Sequence, residues 1–274
     1  MKKIDILYIY NYELRHRDEA LKRLNLSINS IKKQNVRICV SNNSEYCIFD
    51  SLENHGTSIR YIHKPYHGKF SRAHGINFAV KNLIETDYFI ISDIDLIYQK
   101  NHIQLVQNKI LNYSNEYKLP VRIVFWNFNL EPAYSIPLLN IRFIRRFVPK
   151  FPQRESSSYQ DLVNLKDNGG GFAHGNGVVH YESFLSLRGY DEELIGYGPE
   201  DDLFNTRISF VNKIIYDEDR GTSTIHLWHP RLRMLQFGEN MKIWRQKKEW
   251  YLSLQNPSPS DLTANKDISD WGLI

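Results

Sequence analysis

The sequence predicts an α/β fold built on a mostly parallel sheet with helices on both faces. Three observations carry that reading. Short β-rich runs alternate with helical patterns through the first hundred residues, as in parallel strands joined by crossover helices. The run Asp87-Tyr88-Phe89-Ile90-Ile91 is almost continuously apolar, which suits a strand covered on both faces. Turn-forming clusters such as Ser41-Asn42-Asn43-Ser44 punctuate the runs.

Taken in order, residues 4–10 form the first strand, and Asp18 then caps a helix that carries Leu21, Leu24, Ile28 and Ile31 on one face. Residues 36–40 and 59–63 read as the next strands. Ser71 caps a second helix reaching about Ile84, and the buried strand at 87–91 follows. A strand spans 121–128. Residues 129–168 mix Pro, basic and aromatic residues without a period and read as an insertion. Beyond Gly169-Gly170-Gly171 come a strand near Val178-Val179-His180, a helix from Glu200 to about Val211, and short β segments at 213–216 and 222–228. The residues after Asn256, rich in Pro, Ser and Asp, read as a loosely attached tail.

With 42% hydrophobic residues in 274, the chain buries one large core and lies far from the disordered class. Its net charge of +4 suits an anionic substrate or a membrane surface and makes no case for nucleic acid, since no basic stripe interleaved with aromatics appears. Cys39 and Cys47 lack metal-ligand or framework spacing, so a reducing compartment is expected. The opening Met1-Lys2-Lys3-Ile4-Asp5-Ile6 reads as a strand and not a signal peptide, and no run has membrane-spanning length. The expectation is a cytoplasmic protein, with peripheral contact at the inner face of a membrane as an extension of it.

Candidate chemistry clusters in a few places. Asp93 and Asp95 emerge at the carboxyl end of the buried strand, where open α/β sheets bind ligands. Strand alternation would aim both to one side, as a hard divalent cation holding a diphosphate requires. Arg72, at the helix start set by Phe70-Ser71-Arg72-Ala73, is placed for a phosphate, and residues 12–17 offer the lip of a nucleotide pocket. Gly196-Tyr197-Gly198-Pro199 leads into Glu200-Asp201-Asp202, three carboxylates opening a helix whose dipole favours their ionised forms. A carboxylate held there can act as a general base toward an alcohol. His226 and His229 end a β segment with imidazoles three residues apart, in reach of one metal shell. Each feature alone also has a plain structural explanation, as a polar strand end, a capped helix or a packed histidine.

Together and in order, these segments resemble the β-1,4-galactosyltransferase family and its bacterial relatives. The resemblance rests on His16-Arg17-Asp18-Glu19-Ala20-Leu21, Phe70-Ser71-Arg72-Ala73, the segment from Ser92 to Ile97, and the stretch from Arg188 to Asp202, and it covers about residues 4–230. It implies a GT-A fold: a Rossmann-like sheet with a smaller acceptor-side subregion. One catalytic domain then spans 1–256, with a nucleotide-binding half at 1–100, an acceptor and catalytic half at 101–230, a basic helical extension at 231–256, and the tail at 257–274.

Carried over by position, Arg17 and Arg72 hold the uridine and diphosphate and Asp93 contacts the nucleotide or sugar. Asp95, His229 and, less closely matched, His226 bind Mn²⁺ or another divalent cation. Asp201 is the base, and Tyr197, Glu200 and Asp202 meet the acceptor. The implied activity is inverting transfer of a hexose or N-acetylhexosamine, galactose or N-acetylgalactosamine first among them, from a UDP-sugar to a saccharide acceptor in surface glycan synthesis. Two departures stand out: Tyr197 replaces the family's closing Trp, and Pro199 replaces a hinge Gly.

The segment at 137–150 and Met241-Lys242-Ile243-Trp244-Arg245-Gln246-Lys247-Lys248 mix apolar and basic residues, as a lipid-linked acceptor or anionic surface would suit, although simple packing within the chain is the favoured reading of both. Alternative readings are a retaining transferase of similar fold and a non-catalytic nucleotide-sugar-binding partner. Retaining polypeptide N-acetylgalactosaminyltransferases have Glu-Asn where this chain has Glu200-Asp201. An aspartyl phosphatase would need Thr or Ser where Ile97 stands.

Overall fold

A computed structural model describes residues 3–12, 16–52, 58–65, 71–130, 167–196, 198–227, 229, 237–266 and 271–272. Among them nine strands form one sheet: β1 (Ile4–Tyr10), β2 (Val36–Asn42), β3 (Ile59–His63), β4 (Tyr88–Ser92), β5 (Leu96–Tyr98), β6 (Val121–Leu130), β7 (Asp167–His180), β8 (Lys213–Tyr216) and β9 (Thr224–His226). Six helices accompany it: α1 (Arg17–Ile31), α2 (Arg72–Leu83), α3 (His102–Tyr117), α4 (Tyr181–Ser186), α5 (Glu200–Ile208) and α6 (Phe237–Ser253). Strand order is β3-β2-β1-β4-β7-β6-β9-β5, with β8 added on β6.

The first four strands are all parallel, so their carboxyl ends share one edge of the sheet. β7 runs antiparallel to both β4 and β6 and joins this half to the second. β1 shows why both faces must be covered. Ile4, Ile6, Tyr8 and Tyr10 enter one apolar layer with Ala20, Leu24, Ile28 and Ile31 of α1, whereas Leu7 enters the other with Ala73, Ile76, Ala79 and Val80 of α2. Each fully buried aliphatic side chain contributes about 1.5–3 kcal/mol, so the stripe on α1 is enough to fix that helix on the sheet.

Most expected elements form. Ser71 caps α2 by accepting a hydrogen bond from the His74 N–H at 3.2 Å. α1 starts earlier than expected, with His16 at the N-cap and Asp18 inside the first turn, where it still meets the helix dipole. β5, α3 and α4 have no counterpart in the sequence reading. α3 buries only His102, Ile103 and Val106, a stripe too narrow to stand out. The expected insertion is shorter than 129–168, because Leu130 of β6 pairs with Asp167 of β7; residues 131–166, including the basic segment 137–150, lie outside the described residues.

The expected loose tail is a second correction. Leu262, Ala264 and Trp271 are buried, Asn265 Nδ2 donates to the carbonyls of Arg188 and Tyr190, and Lys81 Nζ donates to the Trp271 carbonyl at 2.7 Å. A large ring packed against Phe184 overrides the polar composition around it. Among the described residues, no helix is long and apolar enough to cross a membrane.

Candidate active site

β4 ends at Ser92, and Asp93, Ile94 and Asp95 form the turn into β5. The two carboxylates therefore do not follow strand alternation, as expected from their spacing, and each turns to its own partners. Asp93 is clasped by Asn176 of β7: its N–H donates to Asn176 Oδ1 and its Oδ2 accepts from Asn176 Nδ2, both at 2.8 Å. Asp95 is buried and faces His226 and His229.

Arg72, the first residue of α2, ties the site together. Its Nη2 donates to Asp93 Oδ1 at 3.2 Å and to the Gly175 carbonyl at 3.1 Å. Its Nη1 donates to Asp201 Oδ1 and lies 4.0 Å from Glu200 Oε1. Burial disfavours the Arg72 cation, but Asp201 and Asp93 outweigh it and hold the guanidinium charged. The acidic turn after β4 and the acidic opening of α5 thus meet across one arginine. Asp93, Asp201 and His226 share the wall of a cavity of about 320 Å³ with Asn127, Asn129 and His174.

Beneath that wall, pairing of β5 with β9 places Leu96 opposite His226, and the Asp95 carbonyl accepts from the Leu227 N–H at 2.9 Å. Nε2 of His229 lies 3.1 Å from Asp95 Oδ2, and Nε2 of His226 lies 3.7 Å from Oδ1. One ligand atom from each residue falls within 4.8 Å of the others. Burial alone would raise the Asp95 carboxyl; the two imidazoles prevail and hold it below the usual range. Among the described residues, Oδ1 of Asp95 is nevertheless buried without a hydrogen-bond partner. An under-satisfied carboxylate oxygen facing two imidazoles is a mixed oxygen and nitrogen donor set that fits a divalent metal cation.

The remaining expected residues divide. Glu200 is buried beside Asp201, and its carboxyl is pushed up to about 8 by burial and then by Asp201, despite Arg72. Asp202 points away from the cavity, where its Oδ2 accepts from Trp244 Nε1 and Lys248 Nζ of α6, each at 2.7 Å. Lys247 pairs with Asp191 and Glu193, so part of the basic character of α6 is spent inside the chain. Arg17 donates to Ser51 Oγ at 3.2 Å and lies over the Tyr46 ring. Its carbonyl accepts from the Tyr10 hydroxyl, and the Tyr10 ring neighbours Tyr12. Burial and then Asp95 push the Tyr12 hydroxyl up to about 12, and the Arg23 guanidinium lies over the Tyr12 ring. Tyr197 lies outside the described residues.

Sequence reasoning missed the contribution of β7. Gly175 and Asn176 hold Arg72 and Asp93 in place. A Cβ at 175 would come within 2.8 Å of Arg72 Nη2 and collide with the Asp201 carboxylate, so a larger residue there would force these side chains to shift from the ion pair as it stands. The glycine density of residues 169–177 was the available signal, since glycines inside a strand mark bulges and close approaches.

Solved structures of similar fold are known. TarS residues 1–349 of S. aureus, crystallised in complex with UDP, superpose over 95% of this chain and 68% of that one, with TM-score 0.57 and 13% identity. The longer S. aureus TarS chain gives TM-score 0.55 and 12% identity over 94% of this chain, which spans 41% of its length. The fold is GT-A. The catalytic domain of Drosophila β1,4-galactosyltransferase 7 in complex with xylobiose matches more loosely, with TM-score 0.45 and 17% identity over 93% of this chain and 82% of that one. No protein-family model and no curated protein sequence matches the chain.

Proposed function

We propose that this chain is a divalent-cation-dependent glycosyltransferase that moves a hexose or N-acetylhexosamine from a UDP-sugar to a saccharide hydroxyl with inversion. One observation carries the reading: Asp93 and Asp201, from the turn after β4 and the start of α5, meet on Arg72 at the wall of a single cavity, with the Asp95, His226 and His229 cluster beside it. A GT-A fold related to a TarS crystallised with UDP supports a nucleotide-sugar donor.

Asp95, His226 and His229 would hold the cation. Bound there, it supplies positive charge against the diphosphate leaving group. Asp201 takes the proton from the acceptor hydroxyl as that oxygen attacks C1 of the sugar. The new C1–O bond forms as the bond from C1 to the diphosphate oxygen breaks, and UDP leaves with the electron pair. The Arg72 guanidinium pairs with Asp201 and puts positive charge beside it, where it can oppose the negative charge that develops on the donor. Asn176 fixes Asp93 toward the same space.

A panel of UDP-sugars assayed for Mn²⁺-dependent UDP release, with NMR of the product anomer, tests this reading. Asp201→Asn is expected to bind UDP as wild type does and to lose transfer by ~10³-fold or more. A product of unchanged anomeric configuration would replace inversion with retention. UDP binding without turnover by any donor and acceptor would leave a non-catalytic binding partner.

A further inference from the structure

β6 and β7 part company where the cavity begins. Val124 pairs with Gly177 and Trp126 pairs with Phe172, so the single residue Phe125 on β6 faces residues 173–176 on β7. β7 thus carries a multi-residue bulge, a feature that concentrates near active sites because it re-aims side chains. It contains the Gly175 carbonyl that receives Arg72 and the Asn176 side chain that clasps Asp93. A bulge also strips carbonyls of ladder partners, and buried ones must be satisfied elsewhere.

Arg122 supplies the replacement. It is wholly buried, and its guanidinium is held by neutral oxygens: Nη2 donates to the His174 carbonyl at 2.8 Å, Nη1 to those of Ile123 at 2.9 Å and Val178 at 3.1 Å, and Nε to Asn205 Oδ1 at 3.1 Å. Asn205 of α5 donates its own Nδ2 to the same His174 carbonyl at 3.1 Å. Gly177, at φ +133°, makes room, because a Cβ there would stand 2.7 Å from Arg122 Nη1 and overlap the Ile123 carbonyl. A buried cation is costly, and here the fan of donors spans both ends of one bulge and the helix that carries Asp201.

We propose that Arg122 is a positioning residue: with Asn205 it clamps the β7 bulge in register with α5, and so sets the relative placement of Arg72, Asp93 and Asp201. The proposal rests on the transferase reading for its kinetic consequence, and its structural half stands apart from it. Lysine cannot reproduce a planar fork of donors, so the charge alone does not restore the clamp.

The test compares Arg122→Met and Arg122→Lys with wild type by hydrogen exchange, Mn²⁺ titration and kinetics. In Arg122→Met, exchange at residues 174–177 is expected to quicken by at least ~10-fold. Its kcat should fall by ~100-fold, with Mn²⁺ affinity within about twofold of wild type. Arg122→Lys should recover only part of either change. If Arg122→Met does not fold, Asn205→Asp takes its place; it keeps a partner for Arg122 while removing the donor to His174, and faster exchange at 174–177 is again expected. Unchanged exchange there in whichever variant is folded overturns the clamp. A wild-type protein that transfers no sugar sinks the transferase reading, while the exchange result still decides the clamp.

Discussion

Asn176 and Asp93 exchange two hydrogen bonds of 2.8 Å, one through the Asp93 backbone and one through its carboxylate. Residues from antiparallel β7 and from the turn after β4 therefore behave as one unit, and the Asp93 Oδ1 left over is the atom that meets Arg72. Asn176 and Asp93 both line the cavity.

Replacing Asn176 by Asp sets one carboxylate against another and removes the amide donor. Hydrogen bonds to charged groups contribute about 1.5–3 kcal/mol, so the donor KM should rise by ~10-fold or more. Initial rates of UDP release across a donor titration measure it. A KM equal to that of wild type would remove Asp93 orientation from donor binding.

Gly175→Ala tests the approach of β7 to the ion pair. The added methyl would meet Arg72 Nη2 and the Asp201 carboxylate, so the pair is expected to be displaced, while Asp95, His226 and His229 are not met. Transfer should fall ~100-fold with Mn²⁺ affinity retained, a split that single-turnover kinetics and calorimetry resolve. Equal activity would mean that the Arg72 to Asp201 contact is dispensable.

How far the sequence spoke depended on the range of the interactions involved. The first four strands and two helices were legible because their apolar periods are local and every residue of a doubly covered strand reports the same environment. The Asp95, His226 and His229 grouping was also within reach, since Asp95 stands in the turn after a buried strand and His226 and His229 lie at the end of another segment. The bulge was not legible, because Arg122 and Asn205, which hold residues 173–176 out of the ladder, belong to other elements. Nor was the direction of Asp202, which is fixed by Trp244 and Lys248 more than forty positions away. Three adjacent carboxylates announce a helix start, and only tertiary packing assigns one to Arg72 and another to α6.

Glu200 gives a pH dependence of unusual sign. Its carboxyl is raised from 4.5 to about 8 by burial and by Asp201. Below pH 4.5 folded and unfolded chains are both protonated there, so the group's stabilisation is complete. Between those values the unfolded chain ionises first, and stability declines as pH rises through about 8. Glu200→Gln removes this loss, and urea midpoints at acid and alkaline pH should lie closer together than in wild type. Parallel shifts in the two proteins would mean that Glu200 ionises as freely folded as unfolded.

His102 acts at the other end of the scale. It is fully buried at the start of α3, edge-on to Tyr98 and Phe125, and neither ring nitrogen has a hydrogen-bond partner among the described residues. Burial lowers it from 6.5 to about 3, so the folded chain keeps it neutral while the unfolded chain takes up a proton below pH 6.5. Its contribution is whole above that pH and shrinks as pH falls toward 3. Phenylalanine fits the same aromatic slot, has no nitrogens to desolvate and cannot be protonated in either state. His102→Phe should therefore raise the melting temperature, and the gain should widen between pH 7 and pH 4.5. A gain that stays constant across that range would show the ring titrating normally in place, and a loss at all pH values would show that its nitrogens are satisfied after all.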